Sequence, residues 1–274
     1  MNEIPFYKMS GSGNDFIIID NRNQIVAESG LFQFIAGICR RKLSVGADGV
    51  ILIENSDKVD FRWRFFNSDG SLAEMCGNGA RCAARFAHVN GIAGTQLAFE
   101  TEAGIISARI DNGRVKVKMP DPTDLKLDYD VVLKEGRINI CSVNTGVPHV
   151  IIIQDQIDDV DVVNLGREIR YHNNFAPAGT NVNFCCRNSH DEIAIRTYER
   201  GVENETLACG TGSIASALIA ACKLEMTSPI RVLARSGEYL SIFFNQADGR
   251  FDNIFMEGDA RIIYHGELGS DAWQ

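Results

Sequence analysis

No Cys-x-x-Cys pair occurs in this chain, although it holds eight cysteines in 274 residues. That absence removes the usual signature of a zinc ribbon or a thioredoxin-type redox centre. The five histidines show no metal-ligand spacing either, so His88, His172, His190 and His265 read as surface or internally hydrogen-bonded side chains. No long apolar run is present. The most apolar helix-like stretch, Ile214 to Leu224, is too short for a bilayer and is interrupted by Ser216 and Lys223. Met1-Asn2-Glu3-Ile4-Pro5 lacks the basic flank and apolar core of a signal peptide. The expected compartment is therefore a reducing cytoplasm, with thiols rather than disulfides. Positive charge is not in excess: 27 Lys and Arg against 36 Asp and Glu leave a net charge of −9. That argues against nucleic acid as a partner, but not against a small anion held at a local site. With 45% hydrophobic and 23% charged residues, the composition is that of an ordinary soluble protein, long enough for two domains.

What is present is a short phrase that occurs twice. Met75-Cys76-Gly77-Asn78-Gly79-Ala80 is echoed by Ala208-Cys209-Gly210-Thr211-Gly212-Ser213, and the two cysteines stand 133 positions apart (209 − 76). Gly13 and Gly146, each ahead of an apolar run, share that offset, as do Gly104 and Gly237. Three anchors at one offset point to a duplicated domain, the period being too long for a solenoid.

Runs rich in β-branched residues predict strands over 16–20, 49–53, 61–66, 96–100, 105–110 and 114–119, with Asp111-Asn112-Gly113 as a hairpin turn. A helix is expected over 78–90, closed by Gly91. In the second half the order recurs: strands over 150–153 and 193–198, a helix over 212–224, then strands over 230–234, 240–244 and 254–256. The prolines of Met119-Pro120-Asp121-Pro122 mark the expected linker. The second helix is apolar on nearly every face, which asks for burial all round. The expected fold is α+β: two pseudo-symmetric domains, each a mixed, barrel-like sheet around a central helix. Their expected extents are 1–119 and 120–259, with 260–274 a candidate to rejoin the first.

A cysteine at a helix N-terminus meets unpaired N–H groups and the positive end of the helix dipole, which favours thiolate over thiol. Cys39, Cys82, Cys141, Cys185, Cys186 and Cys222 lack such a setting and read as small core hydrophobes. Gly11-Ser12-Gly13-Asn14-Asp15-Phe16 begins like a dinucleotide fingerprint but leads into a strand, not a helix. A glycine turn explains its glycines and leaves Asn14 open as a site residue. His149 stands apart from the other histidines because it follows Gly146-Val147-Pro148 in the repeat of the Asn14 segment.

If the two domains bring the helix N-termini face to face, a carboxylate between them is held by N–H groups from both. The sulfurs then flank the adjacent carbon. One thiolate removes its proton, the opposite thiol returns one to the other face, and a stereocentre inverts. No pyridoxal-type or metal motif is visible, so the expectation is chemistry with no cofactor and no metal.

Cys76-Gly77-Asn78-Gly79-Ala80-Arg81-Cys82, Ala208-Cys209-Gly210-Thr211-Gly212 and Gly13-Asn14-Asp15-Phe16 together resemble the diaminopimelate epimerase family. So do Phe66-Asn67-Ser68-Asp69-Gly70, Asn181-Val182-Asn183-Phe184 and Tyr198-Glu199-Arg200-Gly201. The resemblance covers almost the whole chain. It implies a cofactor-independent homodimeric epimerase that interconverts LL- and meso-2,6-diaminopimelate on the route to lysine and peptidoglycan. Cys76 and Cys209 would be the acid/base pair, with Gly77-Asn78 and Gly210-Thr211 cradling the reacting carboxylate. Asn14, Asn67, Asn181, Glu199 and Arg200 would hold the substrate's amino and distal groups. His149 and Glu199 would tune the thiols. Without the resemblance, Glu199-Arg200 reads as a solvated strand end.

Two positions depart from the family pattern: Gly49, where many members carry Gln, and Val147, where many carry Asn. Competing functions are a proline racemase or hydroxyproline epimerase, and a non-catalytic binding or redox-responsive protein. The charged Glu199-Arg200 pair and Asn67 favour a substrate with a charged far end, and the retention of both cysteines favours catalysis.

Overall fold

The computed structural model describes residues 3–274, so Met1 and Asn2, the first residues of the stretch weighed as a signal peptide, lie outside the described residues. The chain divides into two compact units. One runs to Val117 and takes up Gly258–Gln274 again, and the other spans Lys118–Glu257.

In the first unit the order is β1 (Ile4–Gly11), β2 (Asn14–Asp20), α1 (Leu31–Ile38), β3 (Gly49–Glu54), β4 (Phe61–Asn67), β5 (Leu72–Ala73), α2 (Gly77–Val89), β6 (Gln96–Thr101), β7 (Gly104–Asp111) and β8 (Arg114–Lys118). The second follows with β9 (Thr123–Leu133), β10 (Gly136–Asn144), β11 (Pro148–Ile153), α3 (Val162–Arg170), β12 (Asn181–Arg187), β13 (Glu192–Glu199), β14 (Asn204–Thr206), α4 (Gly210–Lys223), β15 (Ile230–Leu233), β16 (Tyr239–Ala247) and β17 (Arg250–Asp259). The chain then returns through β18 (Arg261–Leu268), antiparallel to β1 with Ile4 opposite Leu268.

Register repeats between the units. β2 runs parallel to β3 with Phe16 opposite Gly49, and β11 runs parallel to β12 with His149 opposite Asn181. A parallel pair needs a crossover, supplied by α1 in one unit and α3 in the other. β4 and β13 turn back antiparallel, then take a parallel neighbour, β6 or β15, which opens an antiparallel run. The fold is therefore α+β, with a mixed sheet in each unit. α4 packs against β10, β11, β12, β13, β15 and β16, with Gly212–Ala221 buried. α2 packs against β1, β2, β3 and β7.

The sequence pattern points to two helices, whereas the described residues form four α-helices. α1 and α3 cover the outer face of each sheet, which explains why the strands read as continuous apolar runs. On β2, Ile17 and Ile19 join a core with Phe34, Ile35 and Ile38 of α1, while alternation sends Phe16 and Ile18 to the face where α2 packs. Each such fully buried isoleucine contributes about 1.5–3 kcal/mol. The tight turns fall at the expected residues. Asn112 and Gly113 connect β7 to β8 with φ of 48° and 80°, as a two-residue type I′ turn requires, and Gly91 closes α2 with φ 66°. Among the described residues, no helix is long and apolar enough to cross a membrane.

Candidate active site

Cys76 and Cys209 occupy the same position in their units. Each is the extended residue before a helix (φ −145° and −125°), and each sulfur accepts a hydrogen bond from the third helical N–H, Gly79 at 3.5 Å and Gly212 at 3.4 Å. Ser, Thr, Asp or Asn normally fills this capping role. A sulfur there sits against the positive end of the helix dipole. The leading N–H groups, of Gly77 and Asn78 in one helix and Gly210 and Thr211 in the other, have no acceptor within the helix. Gly212 is required sterically: a Cβ on it would stand 2.4 Å from Asn183 Oδ1 and 3.2 Å from the Cys209 sulfur.

In the first unit, Asn78 donates through Nδ2 to Asn14 Oδ1 at 2.5 Å, and Asn14 donates to Asp48 Oδ2 at 3.1 Å. Behind them Arg41 spans Asp15 (2.6 Å) and Asp48 (2.9 Å), and Lys8 meets Asp15 at 2.7 Å. Burial pushes the Asp15 carboxyl up, but Arg41 and Lys8 more than offset this and hold it below the usual range. Arg81, fully buried one turn into α2, donates to Ser12 Oγ and Asn78 Oδ1, both at 2.8 Å, and to the Asp259 carbonyl at 3.0 Å. The guanidinium thus fastens the Gly11–Asn14 turn to the helix that carries Cys76. Asn67 stands at the end of β4, opposite Gly49, and donates to Ser71 Oγ at 3.0 Å.

In the second unit the pieces differ. Thr145 donates to the Thr211 carbonyl at 3.0 Å, and Ser213 Oγ to the Cys209 carbonyl at 2.9 Å. Asn181 accepts from the Arg200 backbone N–H at 2.8 Å, and the Arg200 guanidinium donates to the Ala178 carbonyl at 3.2 Å. Glu199 ends β13, half-buried, and burial pushes its carboxyl above the usual range. The nearby Thr206 hydroxyl opposes that shift in part and makes no hydrogen bond of ordinary geometry. His149 is buried beside Asn181 and Asn183, and burial, with Arg200 nearby, pulls its pKa down to about 3. The same unit holds an open cavity of about 440 Å³ lined by His149, Asn144, Pro148, Thr180, Lys126 and Asp124.

Cys76, Gly77 and Asn78, and Cys209, Gly210 and Thr211, thus form the two capped helix starts, while Asn67, His149, Asn181 and Glu199 lie on β4, β11, β12 and β13 and Arg200 directly follows β13. Asn14 and Asn78 meet directly, as do Asn181 and Arg200. The Gly49 departure has a steric cause. A Cβ there would stand 2.5 Å from the Phe66 carbonyl and 2.7 Å from the Phe65 ring, so a glutamine does not fit this backbone. Val147 stands 133 residues after Asn14, at the position equivalent to it, and its carbonyl accepts from Thr145 N–H at 3.2 Å. Arg81, Asn183 and Thr197 were not singled out from the sequence. A strand spacing of two puts Asn181 and Asn183 on one face, which was the available signal for Asn183. Of the remaining cysteines, Cys39 and Cys82 are buried thiols pushed up to about 12, consistent with inert core positions. Among the described residues, no group of three or more His, Cys, Asp or Glu side chains is arranged to hold a metal ion.

A family model described as diaminopimelate epimerase matches residues 6–124 and 141–263. The diaminopimelate epimerase of Aquifex aeolicus (strain VF5) is 46% identical over 279 residues, covering 98% of this chain and 99% of that protein. A PhzF-family phenazine biosynthesis protein of Bacillus anthracis superposes with a TM-score of 0.72 at 16% identity, over 98% of this chain and 99% of that one. A probable proline racemase from Agrobacterium radiobacter K84 does so with a TM-score of 0.70 at 13% identity, over 97% and 93%. At such identities the two solved structures speak for the fold alone.

Proposed function

The chain belongs to the diaminopimelate epimerase family, and on that premise we propose that it interconverts LL- and meso-2,6-diaminopimelate by moving protons on and off one α-carbon. The observation that supports this most is the matched pair of sulfur-capped helices, Cys76 ahead of α2 and Cys209 ahead of α4. In this reading the leading N–H groups at Gly77-Asn78 and at Gly210-Thr211 are the donors offered to the substrate carboxylate. One thiolate takes the α-proton and becomes a thiol, and the C–H electron pair stays on the substrate, spread into the carboxylate. The opposite thiol then protonates the other face and becomes the thiolate, so charge is conserved and the reverse reaction exchanges the roles. No electron-sink cofactor such as pyridoxal phosphate enters this sequence.

Asn14, Asn67, Asn181, Glu199 and Arg200 would hold the amino and distal groups. An arginine fork suits a carboxylate, and glutamate or asparagine oxygens accept from an ammonium. The protein is an isomerase. The reading extends to a cytoplasmic homodimer that serves lysine and peptidoglycan precursor synthesis.

The test is exchange of the α-hydrogen in heavy water, run in parallel on LL-diaminopimelate, proline and hydroxyproline. Exchange into diaminopimelate alone is expected. Exchange into proline or hydroxyproline instead would keep the two-thiol chemistry and overturn the substrate. No exchange into any of the three would overturn both.

A further inference from the structure

His149 is 1% exposed, and its two ring nitrogens are treated differently. Nδ1 lies 3.1 Å from Asn183 Nδ2, whereas Nε2 is buried with no hydrogen-bond partner among the described residues. Which nitrogen carries the proton follows from how Asn183 is held. Its Nδ2 lies 3.0 Å from the Val150 carbonyl, a group that only accepts, and its Oδ1 lies 2.9 Å from Thr197 Oγ1. The amide can therefore sit only with its nitrogen toward Val150 and His149, and Asn183 itself is completely buried. An NH₂ group donates, so His149 Nδ1 must accept and cannot carry a proton. The ring is then neutral with its hydrogen on Nε2. Asn183 also touches the helix start, since Gly212 has no room for a Cβ against Asn183 Oδ1.

From this arrangement we propose that Asn183, locked by Thr197 and the Val150 carbonyl, is a positioning residue that fixes His149 as a neutral Nε2–H donor for an anionic acceptor in the occupied half-site. His149 acts in this account neither as a proton acceptor nor as an imidazolium. The orphaned N–H fits such a role, because a buried donor without an acceptor is costly and becomes useful once an anion arrives. Arg200 bears on the ring as a cation and works in the same direction, whereas Asp124 and Lys126, which line the cavity that His149 also lines, are of opposite charge and give no net preference. The proposal rests on the epimerase reading only for the identity of the acceptor.

The test begins with the unliganded parent protein, labelled with ¹⁵N-histidine and observed by long-range ¹H–¹⁵N correlation at neutral pH. His149 is assigned by its disappearance in His149→Gln. An unprotonated Nδ1 with a protonated Nε2 is expected, and an Nδ1–H tautomer or an imidazolium would overturn the proposal. The spectrum needs no substrate, so it decides the matter even if diaminopimelate proves to be the wrong one. The second measurement is Asn183→Asp, whose carboxylate accepts from Nδ1 and so forces the opposite tautomer or a charged ring. A loss of kcat of about ten- to a hundredfold is expected, with little change in KM and a new acid limb in the pH profile. Thr197→Ser made on the parent, which keeps the hydroxyl that holds Asn183, should retain parental behaviour. A parental pH profile in a folded Asn183→Asp protein would overturn the positioning role. If that variant does not fold, the parent spectrum alone decides.

Discussion

At the scale of the residue, the two sulfurs and His149 make separable claims. In the two-base reading, Cys76→Ala and Cys209→Ala each remove one of two obligatory proton carriers. Each should lower inversion by at least about a hundredfold while leaving far-ultraviolet circular dichroism unchanged, since a positioned acid or base contributes about 10²–10⁴. Inversion at the parental rate by either single variant would rule the mechanism out. His149 makes a prediction about stability instead. Its pKa falls from 6.5 to about 3, with burial the main cause and Arg200 the lesser. Between those two values the unfolded chain binds a proton that the folded chain refuses. Its contribution is therefore intact above the unfolded value and is lost as pH falls towards 3, by up to about 1.4 kcal/mol per pH unit. Urea unfolding of His149→Gln should show a dependence on pH, over about 4–6, that is shallower by one proton than the parent's. Equal slopes would mean that the ring is not held neutral.

At the scale of the element, the first turn of α2 is held from behind by Arg81. Lysine keeps the charge but not the planar fork that reaches Ser12, Asn78 and the Asp259 carbonyl together. Arg81→Lys should cost about 1–3 kcal/mol in denaturant unfolding, because buried acceptors lose their donors. It should also raise KM more than it lowers kcat, since Asn78 and Asn14 lose their anchor while the sulfur keeps its place. A variant with parental stability would show that Arg81 merely fills space. How far such elements are legible in the sequence depends on whether their polar residues follow the rule for their type. α2 and α4 announce themselves through Cys-Gly-x-Gly and an apolar run. α1 has no such mark: a left-handed glycine, Gly30, precedes it, no side chain caps it, and its first turn carries no acidic residue. α3 does carry a mark, Asp161 capping the Asn164 N–H. β12 is hidden from the sequence pattern by its polar residues. Asn181 and Asn183 occupy buried positions where a strand's alternation asks for apolar side chains, and a buried polar residue defeats a pattern built on hydrophobicity. Arg81 likewise sits in the buried face of a helix, where charge is least expected.

At the scale of the whole molecule, the two units differ in how the chain completes them. The second is one continuous segment, Lys118–Glu257, whereas the first needs Gly258–Gln274 to return to it. The last residues make that return tight. Trp273 packs edge-on to Phe34 with ring centroids 5.2 Å apart, and its backbone lies so close to Gly37 that a Cβ there would stand 2.8 Å away. Ser44 donates to the Ala272 carbonyl at 2.6 Å, and Arg40 donates to the Gln274 carbonyl. This clip completes the core formed by α1 with Ile17, Ile19, Val50 and Leu52. Ending the chain at Leu268 keeps β18 but removes the clip. The loss should be about 2–4 kcal/mol, somewhat below the range for deleting a fully buried tryptophan, because Trp273 is only half-buried. Hydrogen exchange can show where that loss falls. Amides of α1, and of β2 and β3 beneath it, should exchange faster in the shortened chain, while those of α3 and α4 keep parental protection. Uniform acceleration across both units would mean that the chain opens as one cooperative body. Unchanged exchange in α1 would mean that the tail rests on the helix without holding it. Because Cys76 lies in the unit that the clip closes and Cys209 in the other, the truncation also bears on catalysis. If both sulfurs serve one substrate, activity should fall with α1 protection, even though every proposed catalytic and binding residue is still present.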